Sequence, residues 1–133
     1  MAGIGCKLPL SISENDGAFL LNKTIEDTVK QNLKMLLLTI PGERCMDVDF
    51  GVGIERYLFE NDTPRLREQL STRIHDQVKK YMPFISIRDV YHGGSESVSS
   101  IAPNSLHVQI EYHIEPIGQN DILNITLPAV DKF

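Results

Sequence analysis

The chain has 133 residues, 41% of them hydrophobic and 23% charged, with 13 basic against 18 acidic side chains and a formal net charge of −5. That length suits one domain, able to build a core without metal or disulfide staples. The acidic balance excludes generic nucleic-acid binding, which needs a positive surface to release counterions. No apolar run approaches the roughly 20 residues that cross a bilayer. Residues 1–5 lack the basic cluster and apolar stretch of a secretory signal, so a cytoplasmic protein, or a particle built in the cytoplasm, is expected.

Residues 1–21 are punctuated by Gly3, Gly5, Pro9 and Gly17 and read as an irregular arm or cover, followed by a single domain over 22–133. A helix is expected over 24–40. Thr24 can cap it, Asp27 favours the positive end of its dipole, and Ile25, Val29, Leu33, Leu36, Leu37 and Ile40 keep helical spacing until Pro41-Gly42. A loop over 43–53 carries Glu43, Arg44, Asp47, Asp49, Phe50, Gly51 and Gly53, and a short helical turn is expected over 54–59. Thr63 and Pro64 open a second long helix reaching Tyr81, with Leu66, Leu70, Ile74, Val78 and Tyr81 as its apolar stripe and Pro83 as its stop. Arg65, Arg67 and Arg73 interleave with Glu68 and Asp76, which reads as a solvated, ion-paired face.

The period then changes to two. Ile85 and Ile87 alternate, Val90 is out of step, and a bulge is expected near Arg88-Asp89. A Gly/Ser-rich connection runs from 93 to 103. Leu106, Val108, Ile110, Tyr112 and Ile114 alternate without a break, a turn is expected over 116–121, and Leu123, Ile125 and Leu127 make a third strand. Helices segregated from strands give an α+β fold, with two main helices packed on a small, mostly antiparallel three-stranded sheet.

No catalytic, cofactor or metal site stands out. Glu43, Asp47, Asp49 and Glu55 offer carboxylates that could serve a glycosidase, but the preferred reading pairs Glu43 with Arg44 to fix the loop. His107 and His113 lie about 20 Å apart along one strand, too far for one ion, and read with His75 and His92 as surface histidines. Gly51-Val52-Gly53 lacks the Lys-Ser/Thr of a phosphate loop and reads as a tight turn needing positive φ. Cys6 and Cys45 sit in no metal spacing and are expected as free thiols. The third strand, with Leu123, Ile125 and Leu127, carries no Lys, Pro or bulge before Pro128, so its edge can template further strand pairing.

Gly42-Glu43-Arg44, then Asp49-Phe50-Gly51, then Leu58-Phe59-Glu60-Asn61-Asp62-Thr63-Pro64, in this order and spacing, resemble the signature of the phage baseplate wedge proteins. That family includes the W protein of contractile phages and the TssE component of type VI secretion, and it carries an old lysozyme label. The likeness spans roughly residues 22–130. Where the family has Glu-Pro-Arg after the second helix, Met82-Pro83-Phe84 stands here, so an ionic contact must be replaced by apolar packing or moved elsewhere. Where the family often has Pro before Asp-Phe-Gly, Val48 stands here.

The resemblance implies a structural, non-enzymatic subunit of a contractile tail baseplate that joins wedge proteins and templates the first sheath ring. Its implied partners are other wedge proteins, the tail sheath subunit, and tube or hub proteins, with no nucleic acid, membrane, metal or cofactor. It implies a monomer when alone, several copies in the baseplate, and a place in the virion tail baseplate assembled in the host cytoplasm. Gly42, Glu43, Arg44, Asp49, Phe50, Gly51, Phe59 and Pro83 carry the implied structural and interaction roles. The rival readings are a peptidoglycan hydrolase using Glu43 with Asp47 or Asp49, and the same component in a bacterial injection machine.

Overall fold

The first helix starts where the sequence supplies a cap. The Asp27 N–H donates to Thr24 Oγ1 at 3.2 Å, and the Thr24 hydroxyl donates to the Asp27 carboxylate at 2.6 Å. Thr24 thereby satisfies one of the donors that every helix start leaves over. The computed structural model describes residues 3–93 and 105–128, Pro128 by its backbone alone. Apart from Gly93, the expected Gly/Ser-rich connection lies outside the described residues. The chain divides into two compact units, Met1–Met35 and Leu36–Phe133.

In the first unit, strands β1 (Gly5–Cys6) and β2 (Leu21–Asn22) pair antiparallel ahead of helix α1 (Ile25–Leu38). The stretch expected as wholly irregular therefore holds a small ribbon. It is extended by hydrogen bonds from Ile4 N–H to Asn22 C=O, Lys7 N–H to Leu20 C=O and Leu20 N–H to Ser11 C=O. One side chain ties this ribbon to α1. The Gln31 amide oxygen accepts from Leu8 N–H at 2.9 Å and from Asn22 Nδ2 at 3.0 Å, and Gln31 Nε2 donates to Cys6 C=O at 3.0 Å. Asn22 is only 4% exposed, so its amide needs such a partner. Ile25, expected on the apolar stripe, is exposed, whereas Val29 and Leu33 are buried.

In the second unit, Leu36 and Leu37 are buried. The helix ends at Leu38 rather than Ile40, because the Pro41 ring bars the residue before it from the α region. A 3-10 turn, Ile54–Phe59, and helix α2, Pro64–Tyr81, follow as expected. Thr63 Oγ1 accepts from Leu66 N–H at 3.2 Å, and Pro64 takes the first turn, where its missing N–H costs nothing. Met82 caps the far end through its N–H to Val78 C=O and is buried.

Strands β3 (Ile85–His92), β4 (Ser105–Ile114) and β5 (Gln119–Pro128) form an antiparallel sheet in the order β3-β4-β5. The register shifts between Ile87 and Asp89, so Arg88 is the extra residue of the expected bulge. The turn into β5 is shorter than expected. Asn120 and Asp121 are already paired, with His113 and Tyr112, and Gly118 supplies the positive φ of 71° that closes the hairpin. Leu70, Ile74 and Val78 of α2 are buried, as are Val108, Ile110, Tyr112 and Ile114 of β4 and Leu123 and Ile125 of β5. Each such side chain contributes about 1.5–3 kcal/mol of apolar burial. The fold is α+β, with two main helices and an antiparallel three-stranded sheet.

Replacing Gln31 by Leu removes the acceptor for Leu8 N–H and Asn22 together. The expected outcome is a local loss of about 1–3 kcal/mol, read as faster amide exchange at Ile4 and Lys7. Unchanged exchange at both amides would show that Gln31 does not hold the ribbon.

Candidate interaction surface

The loop over 43–53 is closed by its own backbone and then bound to α2. Gly42 N–H donates to Val48 C=O at 2.9 Å with Gly42 at φ 100°. The Glu43 carboxylate accepts from Ile40 N–H at 3.0 Å, which satisfies a backbone donor just past the end of the preceding helix. The expected Glu43–Arg44 ion pair is not among the described contacts. The Arg44 guanidinium lies over the Phe50 ring, 4.5 Å from its centroid, because an aromatic face is the nearer electron-rich surface. Phe50 meets Tyr81 edge to face at 4.9 Å, and the Tyr81 hydroxyl donates to the Asp47 carboxylate at 2.7 Å. Asp49, expected to take part, is exposed, and Asp47 makes the tie to the helix instead.

Gly51 sits at the centre of this arrangement. Its N–H donates to the Gln77 amide oxygen at 3.0 Å, and its C=O accepts from Arg73 at 3.2 Å. Its φ is 110°, and a Cβ there would lie 2.1 Å from the Thr39 carbonyl oxygen, so no side chain fits. Gln77 is 5% exposed and falls on the buried face of α2, a position that periodicity alone assigns to an apolar residue. Arg65, Glu68, Arg73 and Asp76 line one open surface depression on α2, as expected of a solvated face, but no ion pair among them is described. Arg73 holds a backbone carbonyl, and Arg67 pairs with Asp62 through Nε at 2.7 Å and a second N–H.

Two apolar side chains of this loop, and Phe59 at the end of the 3-10 turn, remain outside any core. Met46 is 96% exposed, Phe59 88% and Val48 65%. Pro83 is exposed as well. Phe59 also lines a cleft of about 580 Å³ with Leu58, Asp62, Leu66, Arg67, His92 and Leu106. Within it, His92 Nε2 shares a hydrogen bond with Ser71 Oγ at 2.7 Å. His92 Nδ1 is buried with no partner among the described residues. Burial pushes the imidazole below its ordinary pKa, the Arg67 charge adds to this, and Asp62 opposes it. The Arg67 hydrogen bond in turn holds the Asp62 carboxyl below its ordinary value. His107 and His113 bond Thr126 and Asn120 across the sheet, and no cluster able to hold a metal ion occurs among the described residues. Cys6 and Cys45 are free and exposed.

Among the described residues the outer edge of β5 has no strand partner, and its donors can be assigned. A strand residue points its N–H and C=O to the same side, and successive residues alternate. His107 C=O accepts from Gly93 N–H, and Glu115 N–H donates to Phe84 C=O, so odd-numbered residues of β4 face β3. Even-numbered ones face β5. Val108 pairs with Ile125 and Ile110 with Leu123, so the backbones of Leu123 and Ile125 face inward. Those of Asn120, Ile122, Asn124 and Thr126 face outward. The side chains of Leu123 and Ile125 are buried and that of Leu127 half-buried, so these residues serve the core while their neighbours present the edge.

The model of the family described as baseplate wedge protein gp25 matches residues 23–116. The chain belongs to that family. It is accordingly a baseplate wedge component of contractile tail systems, with partners in a multi-subunit baseplate and a place in the tail baseplate. The wedge fold recurs in solved structures. A chain of the anti-feeding prophage baseplate, six-fold symmetrised, is 27% identical with a TM-score of 0.67, over 83% of each chain. A protein of Geobacter sulfurreducens called a tail lysozyme is 19% identical with a TM-score of 0.66, covering 86% of this chain and 99% of that one. A chain of the post-contracted pyocin R2 baseplate is 14% identical with a TM-score of 0.51, covering 91% and 99%. The last two likenesses show the fold alone. No curated protein matches this wedge chain by sequence.

The loop contacts rank the expected losses. Gly51→Ala meets both positive φ and the Thr39 carbonyl and should cost about 2 kcal/mol or more. Arg44→Ala removes one exposed ring contact and should cost about 0.5–1 kcal/mol. Urea unfolding of the two variants checks the order, and equal midpoints would contradict it. For His92, the folded state binds its proton less readily than the unfolded chain. Stability should therefore be full above the ordinary histidine range and fall as pH drops through it. Thermal melts of His92→Gln should lose that part of the slope.

Proposed function

We propose that this chain joins neighbouring wedge proteins in the baseplate and starts the sheath there, by accepting a strand from the sheath subunit on the outer edge of β5. In this reading residues 22–133 act as the wedge domain and residues 1–21 as its arm. The observation that carries it is the outward direction of the Asn124 and Thr126 backbones, on an edge with no Lys, Pro or bulge before Pro128. Natural monomers usually blunt such an edge. Main-chain hydrogen bonds then supply affinity, and alternate side chains supply specificity. Met46, Val48 and Phe59 give the wedge partners an exposed apolar surface. The protein works in a tail baseplate put together in the host cytoplasm.

Both Asn124→Pro and Thr126→Pro remove an outward donor while leaving the pairing with β4 in place. Baseplates carrying either variant should assemble, and sheath should fail to start on them. The readout is electron microscopy of particles assembled with purified sheath subunit. Normal sheath on both mutant baseplates would rule out β5 as the template.

A further inference from the structure

The outer edge of β5 is not uniform. Its outward donors are Asn120, Ile122, Asn124 and Thr126, but Ile122 N–H is already taken. It donates to Asp121 Oδ1 at 2.7 Å. The other oxygen of that carboxylate accepts from the Tyr112 hydroxyl at 3.0 Å, and Tyr112 is the fully buried cross-strand partner of Asp121. The carboxylate is thus held from the core side by Tyr112 and laid against the edge at Ile122. A strand approaching that position meets an anionic acceptor where a ladder needs a donor. Its own carbonyl oxygen would face a carboxylate oxygen with no proton between them, a repulsive and desolvated pairing.

We infer that Asp121 closes the hairpin half of the β5 edge, so that an added strand pairs with the Asn124–Thr126 half alone and takes its register from Asp121 as a stop. The inference rests on the proposed strand addition and names the residue that makes it specific. The occupant is an extended, uncharged segment of the sheath subunit. Its side chains on the core side lie next to Ile125 and Leu127 and are apolar. Those on the other side lie next to Asn124 and Thr126 and are polar. The same stop limits pairing between two copies of this chain, since their open half-edges are too short to hold together.

The first test needs no variant. In the isolated wild-type chain, the Ile122 amide should exchange with deuterium about tenfold or more slowly than those of Asn124 and Thr126, although all lie on the same unpaired edge. Equal rates would overturn the closure. The second uses the double variant Tyr112→Phe/Asp121→Ala, which removes the stop without leaving a buried hydroxyl unpaired. It should self-associate with rising concentration in light scattering, where the wild type stays monomeric, and Asn124→Pro added to it should restore the monomer. A folded double variant that stays monomeric and starts sheath as the wild type does would defeat the inference. The sheath result for the proline variants reads separately. Normal sheath on those baseplates removes the sheath subunit as occupant, while slow Ile122 exchange and self-association of the double variant still report on the stop.

Discussion

The second unit depends on the way a single glycine backbone is held. Gly51 is bonded through its N–H to Gln77 and through its C=O to Arg73, and the next residue, Val52, donates to Leu36 C=O at 3.0 Å. The loop that follows α1 is therefore fastened to the last turns of that helix and to the middle of α2 within two residues. Because Gly51 lies against the Thr39 carbonyl oxygen, this close approach is open to no other residue type. Gln77 is the counterpart. A buried amide with no partner would cost about 1–3 kcal/mol, so Gly51 and Gln77 specify each other. The 3-10 turn at Ile54 begins two residues after this anchor.

Several elements were legible in the sequence because their signals are local. Thr24, Thr63 and Pro64 are caps whose chemistry is complete within four residues, and α2 ends at Tyr81 as its stripe and Pro83 require. The bulge was legible because period two is strict enough that one extra residue puts Val90 out of step. What escaped depends on distance in the chain. Arg44 has Glu43 beside it, and sequence proximity suggests an ion pair, but the fold brings Phe50 under the guanidinium. Gln77 reads as a polar interruption of an apolar face until Gly51 is seen opposite it. Asp121 reads as a turn residue, because Asp is common in turns. The hairpin closes two residues earlier, and Asp121 is left inside the strand.

The two edges of the sheet are treated differently, and this asymmetry gives the surface its direction. On β3, the bulge at Arg88 breaks the row of backbone groups, Ile85 N–H is taken by Met82 C=O, and His92 is tied to Ser71 of α2. An added strand would have to displace these contacts. On β5, the register with β4 is unbroken, and among the described residues only the position next to Asp121 is occupied. A sheet with one edge blunted and the other half open can grow on one side only.

The carboxylates bear on the hydrolase reading through their partners. Glycoside hydrolysis uses two carboxyl groups free to exchange protons, facing one bond from either side. Glu43 holds the Ile40 N–H, and Asp47 holds the Tyr81 hydroxyl. The cleft beside Phe59 contains Asp62, but Arg67 engages both of its oxygens and keeps it ionised, the wrong state for a general acid. The fold shared with the Geobacter protein at 19% identity transfers an architecture alone. The hydrogen bonds of Glu43 and Asp47 tie down the loop that carries the exposed Met46 and Val48.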